Sequence, residues 1–554
     1  MDDPAERDHS ETRLQTARRA FSPRGKPPVP DGTPAEIRRD IVWEAREPLP
    51  LARHAAPAPA RPAPDPGKHR LVVLGDSLTQ GFKSFAIRDT KLSWPKIVAD
   101  HGGITDFRYP WFDGPESCAG MPLNLEAIVK DVYWPDTILD IREDSRLFDD
   151  FRRLMDDVED YWERGDGAQA VTYVDEAAKI GRKLDEVNHN LAIWGMDIRD
   201  ALSLDISRLR KRITSSPNRG DQSLNQFVSA AYERSAMITL KGGGNRDTPV
   251  SLAKALGEEK GIETLIVALG ANNILGTVID FQIHWTDDRD YADVDRTTKP
   301  RYNAWTPEHF RSEFDALLTE VRKIKADNVI VFTVPHVTIV PMVRGVGTKM
   351  PGDRYFARYT RPWIPDHLFN ANRHDCLTGD ELRVLDFAVD RYNDHICAAV
   401  GQLDEPKGQR WKVLDVAGIL DRLAYRRYLV DDEAQPAWWE PYDLPDAFRE
   451  LSPIPDTRFF GSDRYGRTQG GLFSLDGIHP TTLGYSIVAR EVMQMMTELG
   501  VPLKAVEPDY DKIIAADTMI SEPPKRLASV LPVVALGHRV VNLLETVNAR
   551  PEIM

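Results

Sequence analysis

Three short runs of apolar, largely β-branched residues constrain this chain more than any other feature: RLVVLG (70–75), ETLIVALG (263–270) and NVIVFTVP (328–335). Each stops at a glycine or proline, and none alternates polar with apolar. A strand of that kind has no solvent face, so it belongs in a parallel sheet covered on both sides. TDFRYP (105–110) and RWKVLDV (410–416) are weaker strand candidates. Helical patterns fall between them, such as PEHFRSEFDALLTEVRKIKA (307–326), with Phe310, Phe314, Leu317, Leu318 and Val321 on one stripe. Strand and helix in alternation predict an open, doubly wound α/β domain.

Other segments break this rhythm. Leu147, Phe148, Phe151, Leu154, Met155, Val158, Tyr161 and Trp162 recur at helical spacing. After the turn RGDG come Val171, Val174, Ala177, Ile180, Leu184 and Val187, spaced likewise. The pattern predicts an antiparallel helical hairpin inserted over about 137–188. Residues 1–66 are rich in Arg, Pro and Ala, which predicts a flexible tail with little to bury. Residues 501–554 read as an extension carrying an apolar helix, LASVLPVVALGHRVVNLLETV (527–547), whose apolar run is too short and broken to span a membrane. That helix reads as one docked on the core, with an interface between copies or a contact with a membrane surface as the alternatives. The main α/β domain is expected over 67–500.

Composition removes several classes of function. With 71 basic against 86 acidic residues, the net charge of −15 disfavours nucleic-acid binding. Three cysteines, Cys118, Cys376 and Cys397, make no disulfide framework. The opening MDDPAERDHSETR lacks the apolar core of a secretory signal. A cytoplasmic location is therefore expected. His374, Asp375 and Cys376 lack zinc-ligand spacing, and no phosphate-loop pattern occurs. The two RGD triplets (164–166 and 219–221) read as turns.

In sheets of this type ligands gather beyond the carboxyl ends of the strands. Here those ends carry Asp76 and Ser77, Asn272 and Asn273, and His336. A serine at a strand-to-helix turn exposes both its hydroxyl and nearby backbone N–H groups, though Gly-Asp-Ser is also an ordinary turn and helix cap. SLDGIHPTTLGY (474–485) places Asp476 three positions before His479, so that an imidazole could take a proton while a carboxylate orients it. The same residues also suit an Asx turn beside a helix. Asn272 in ALGANNILG (268–276) and Gly195 in HNLAIWGMDIRDAL (189–202) are candidate oxyanion donors, with structural roles as the alternative.

Taken in order, GDSL (75–78), NLAIWGMD (190–197), GANN (270–273) and DGIHP (476–480) resemble the blocks of the SGNH hydrolase superfamily, the GDSL esterases and lipases. The resemblance implies a flavodoxin-like α/β/α sandwich with a central parallel sheet. It also implies Ser77 as nucleophile, Asp476 and His479 as the other triad members, and an oxyanion hole from Ser77, Gly195 and Asn272. Asn273 stands where the third block more often has Asp. Ser77 and Gly195 lie 118 positions apart (195 − 77), longer than in compact members, with the predicted hairpin between them. The expected activity is hydrolysis of a small-molecule carboxylic ester through an acyl-enzyme, with no metal or organic cofactor. An acyltransferase, a thioesterase, a carbohydrate acetylesterase, or a binding protein that keeps the fold are the alternatives.

Overall fold

The computed structural model describes residues 25–51, 67–112, 114, 120–131, 145–215, 228–292, 299–349, 353–403, 408–525 and 527. The three apolar runs form β1 (His69–Gly75), β2 (Ile262–Ala268) and β3 (Ala326–Phe332), and RWKVL forms β4 (Arg410–Leu414). They make one parallel sheet in the order β1-β2-β3-β4, with Val73 opposite Ile266, Ile266 opposite Ile330 and Ile330 opposite Lys412. Every residue of β2 is buried. This accounts for the uninterrupted apolar run Leu265–Ala268.

Helices flank the sheet, and their starts are written in the sequence. Thr306 caps Pro307–Val321 by accepting from the His309 N–H at 3.3 Å, with Pro307 in the first turn. Thr378 and Glu381 form a reciprocal capping box at the head of Gly379–Gly401, and Thr248 and Ser251 do the same for Pro249–Glu259. The stripe Phe310, Phe314, Leu317, Leu318 and Val321 is buried, and Phe310 stacks on Tyr392 at 4.0 Å. Elsewhere Trp94–Gly102 packs against Thr482–Glu498, and Trp94 stacks on Phe332 at the end of β3. The result is an α/β protein with a central four-stranded parallel sheet flanked by helices.

Three expectations are corrected. TDFRYP forms no strand: Pro110 has no N–H to give, and the Arg108 N–H goes to the His189 ring at 3.1 Å rather than to a carbonyl. The neighbour of β1 is instead the segment around Asn190. Its flanking residues exchange main-chain bonds with Val73, from Val73 N–H to His189 O (2.8 Å) and from Leu191 N–H to Val73 O (2.9 Å). The flexible tail does not extend over 25–51, where Ile37, Ile41 and Leu51 are buried in the main core. Arg46 pairs with Asp415 at 3.1 Å, and the Leu49 N–H donates to the same carboxylate at 2.7 Å. A few anchors suffice to dock an otherwise polar, Pro-rich segment. Residue 500 is no boundary either, since Met519 is fully buried and Asp517 accepts from the Leu483 N–H at 2.8 Å.

Helices Ser145–Glu163 and Asp166–Ile180 follow the second apolar pattern, and Val158, Trp162, Val171 and Val174 enter the main core. The second helix stops at Ile180, which is 80% exposed, because Gly181 takes φ +124° and leads the chain away to pair with Gly242. The C-terminal apolar run lies outside the described residues except for Leu527, as do residues 1–24 and 132–144. Among the described residues no helix is long and apolar enough to cross a membrane.

Candidate active site

The chain leaves β1 at Gly75 and turns at once into the short helix Ser77–Gln80. Asp76 caps that helix by accepting from the Leu78 N–H at 3.0 Å, and Gly81 ends it at φ +92°. The turn is tight: a Cβ on Gly75 would lie 2.3 Å from Thr79 Oγ1. Ser77 is thereby fixed at the strand's carboxyl end with its own N–H at the open head of a helix, where no acceptor is found for it among the described residues.

The 474–480 loop comes from the other end of the chain. It closes on itself through Ser474 N–H to His479 O (2.8 Å) and Gly477 N–H to Ser474 O (3.0 Å), with Gly477 at φ +68°. Thr481 then caps Thr482–Glu498. This geometry presents His479 to Ser77, with Nε2 to Oγ at 2.9 Å. On its far side His479 Nδ1 meets Asp476 Oδ2 at 3.0 Å. Ser77, His479 and Asp476 are buried, at 4%, 8% and 0% exposure. The relay is therefore shielded from bulk water.

Asp476 is held as a carboxylate. Its Oδ1 accepts from the backbone N–H of Ile478 (2.9 Å) and His479 (2.8 Å), and Oδ2 also accepts from Phe85 N–H (3.2 Å). Burial alone would raise its pKa, but the His479 charge and these hydrogen bonds bring it down to about 2. Asp76 behaves in the opposite way: burial outweighs the backbone N–H groups of Leu78 and of Asp76 itself and the nearby His479 charge, and pushes it up to about 7. Asp476 is thus the permanent anion beside His479.

Gly195 and Asn272 meet at one loop. Ile193 N–H donates to Gly75 O (3.1 Å) and Trp194 N–H to Gln80 Oε1 (2.8 Å), which sews residues 193–194 to both ends of the serine turn. Gly195 follows at φ +72°, a conformation that favours glycine. Among the described residues its N–H has no acceptor. Asn272, in the turn Ala271–Asn273 after β2, gives one amide hydrogen to Met196 O at 3.0 Å, leaving the second for another acceptor. Asn273 is fully buried and accepts from Ile198 N–H at 3.3 Å, so it braces the same loop. The structure joins Ser77, His479 and Asp476 directly, and links Gly195 to Asn272 through Met196.

Several contributors carry no signature in the sequence. Ser84 and Phe85 both take left-handed backbone conformations (φ +50° and +62°), which are uncommon for such residues. They are locked there by Ser84 N–H to Ser474 Oγ (2.9 Å) and by Phe85 N–H to Asp476. The Phe82 ring lies 4.6 Å from the His479 ring, and Tyr485 OH donates to Phe82 O at 2.6 Å. An apolar cavity of about 130 Å³ opens beside Ser77 and His479, walled by Leu269, Phe332, Val340, Ile419 and Phe473. His336 lies at its margin, clamped between Asp421 (3.1 Å) and Asp390 (3.0 Å). Burial disfavours its charge, yet the two carboxylates outweigh that and raise its pKa well above the ordinary value.

Metal-ligating side chains come together in two places among the described residues, His69 with Asp106 and His189, and Asp156 with Glu159 and Asp160. In the first, the ring nitrogens are already engaged. Arg108 N–H donates to His189 Nδ1 (3.1 Å), His189 Nε2 contacts His69 Nδ1 (3.0 Å), and His69 Nε2 contacts Glu259 (3.1 Å). That chain is satisfied by hydrogen bonds at the amino end of β1, away from Ser77. No protein-family model matches the chain, and a search of curated proteins finds no similar one.

Proposed function

We propose that this protein is a serine hydrolase of the SGNH type that cleaves carboxylic esters through an acyl-enzyme. The observation that carries the reading is the relay Ser77 Oγ–His479 Nε2 (2.9 Å) and His479 Nδ1–Asp476 Oδ2 (3.0 Å), placed beside an apolar cavity. The parallel order, with the Asn190 segment flanking β1 on its outer side, supports a flavodoxin-like three-layer arrangement. Helices Ser145–Glu163 and Asp166–Ile180, which pack on each other across a short turn, support the inserted hairpin.

In this mechanism Asp476 holds the His479 Nδ1–H, which leaves Nε2 as the acceptor for the Ser77 proton. Oγ attacks the ester carbonyl, whose oxygen acquires negative charge. The N–H groups of Ser77 and Gly195 and the spare hydrogen of the Asn272 amide are the available donors for it. His479 then protonates the departing alcohol, water attacks the acyl-Ser77 with His479 again as base, and the acid leaves. The acyl chain lies in the apolar cavity. Asp76, whose carboxyl burial pushes up to about 7, is only partly ionised near neutral pH and so carries less negative charge beside the developing oxyanion than an ordinary carboxylate would.

The test is hydrolysis of p-nitrophenyl esters from acetyl to palmitoyl by wild type and Ser77→Ala. Activity lost with Ser77 supports the reading, and its chain-length profile measures the cavity. Activity retained by Ser77→Ala overturns it.

A further inference from the structure

A second and larger cavity, of about 280 Å³, adjoins the first, and Thr457 lines both. Its wall carries five arginines, Arg344, Arg354, Arg426, Arg427 and Arg458, and no carboxylate. Apart from the neighbours Arg426 and Arg427, they come from separate stretches of chain and converge only in the fold. Three are neutralised from behind, Arg344 by Asp366 (2.5 Å), Arg427 by Asp386 (2.7 Å) and Arg458 by Asp456 (2.6 Å). Arg354 and Arg426 have no carboxylate within ion-pair distance among the described residues. Arg354 donates to Trp43 O and Arg426 to Gly345 O, each at 3.0 Å.

The arrangement around Gly345 is the sharpest part. Its carbonyl oxygen accepts from both Arg426 (3.0 Å) and Arg344 (3.2 Å), so two guanidinium groups meet at one neutral acceptor. Arg344 Nε is buried with no acceptor among the described residues. Burial, then the charge of Arg344 and that of Arg458, press the Arg426 pKa below its ordinary value despite Asp366 nearby. Gathering like charges in a partly desolvated cavity is unfavourable unless an anion completes it. The planar fork of arginine matches the oxygens of phosphate two at a time. Two unpaired cations balance one phosphate monoester, which carries a charge of about −1.5 to −2 near neutral pH. The remaining wall sets apolar residues, including Phe356, Phe459 and Phe460, beside Thr457, Ser462 and Gln469, and suits an organic remainder that carries both apolar and hydroxyl groups.

We propose that this cavity binds the phosphate group of a small organic phosphate, with Arg426 and Arg354 as its counter-charges. The inference stands on the arginine geometry and does not require Ser77 to be a nucleophile. The phosphate has two sources, the ester substrate itself or a separate effector bound next to the reaction site.

The experiment measures thermal stabilisation and calorimetric binding of the full chain with inorganic phosphate, glycerol 3-phosphate and neutral glycerol. Both phosphates are expected to raise the melting temperature in a concentration-dependent way, and glycerol is not. Arg426→Gln and Arg354→Gln are each expected to weaken binding about ten- to a hundredfold. Arg426→Lys, which keeps the charge and loses the fork, falls between and covers the event that Arg426→Gln does not fold. Ser77→Ala is expected to bind as wild type does, which separates this inference from the hydrolase reading. If phosphate competes with ester and raises KM, it belongs to the substrate; if it alters kcat at unchanged KM, it is an effector. Either result sustains the site. No stabilisation of wild type by either phosphate, or equal binding by the folded glutamine variants, overturns it.

Discussion

Replacing Asp476 by Asn tests the relay at its most buried member. Each carboxylate oxygen faces two donors. Oδ1 receives the backbone N–H of Ile478 and His479, whereas Oδ2 receives Phe85 N–H and His479 Nδ1. An asparagine must set its NH₂ against one of these pairs. The main-chain pair cannot reverse, so the amide turns its NH₂ toward His479 and donates to Nδ1. The proton of the imidazole then moves to Nε2, which faces Ser77 as a donor and no longer serves as a base. In other Ser-His-Asp enzymes this tautomer error lowers kcat about 10⁴-fold, or about 5.5 kcal/mol. Stability falls as well. The difference between a carboxyl at about 2 and the ordinary 3.8 amounts to about 2 kcal/mol at neutral pH. Because the folded value is the lower one, that contribution is complete above the unfolded value and is lost as pH falls toward 2. The assay pairs kcat and KM on a p-nitrophenyl ester with urea unfolding of both proteins. A folded Asp476→Asn enzyme with wild-type kcat would refute the reasoning, since the tautomer could not then matter.

Three further substitutions probe the surroundings. Asn272→Ala removes one oxyanion donor and is expected to lower kcat about 10²- to 10³-fold with little change in KM; an unchanged kcat in steady-state assays removes Asn272 from the site. Gly75→Ala forces a Cβ to within 2.3 Å of Thr79 Oγ1 and is expected to destabilise by about 1–3 kcal/mol, read as a lower melting temperature. A melting temperature equal to wild type contradicts the tight-turn argument. His336→Ala leaves Asp390 and Asp421 buried without their cation, at about 3–5 kcal/mol in urea unfolding. Since the folded His336 pKa is raised, its contribution is complete below the ordinary value of 6.5 and declines as pH rises through the folded value. A wild-type advantage over His336→Ala that grows from neutral to alkaline pH would contradict this sign.

How much of this is legible in the chain depends on how local the determinant is. β1 to β3 announce themselves because a strand buried on both faces keeps its central run apolar without alternation. The Thr306, Thr378 and Thr248 caps are equally local. Ser77, Asp476 and His479 stand out because a serine at a strand end and an Asp-x-x-His loop are compact motifs. The docked segment 25–51 is hidden because its composition is that of a tail and only a few anchors, Ile37 among them, hold it. The Asn190 segment escapes notice because a single bridge to Val73 joins it to the sheet. Nothing in the sequence forces Ser84 and Phe85 into left-handed backbone, since their hydrogen-bond partners lie about four hundred positions away. The arginine cavity is of the same kind: its members span Arg344 to Arg458 and share no spacing.

The central claim is that Ser77 is a nucleophile made reactive by His479. The most direct measurement is covalent labelling by a fluorophosphonate probe, with the modified peptide identified by mass spectrometry in wild type, Ser77→Ala and His479→Ala. The account requires labelling at Ser77 in wild type, none in Ser77→Ala, and strongly slowed labelling in a folded His479→Ala protein. Labelling of another serine, or a folded wild type that the probe leaves unmodified, would contradict it.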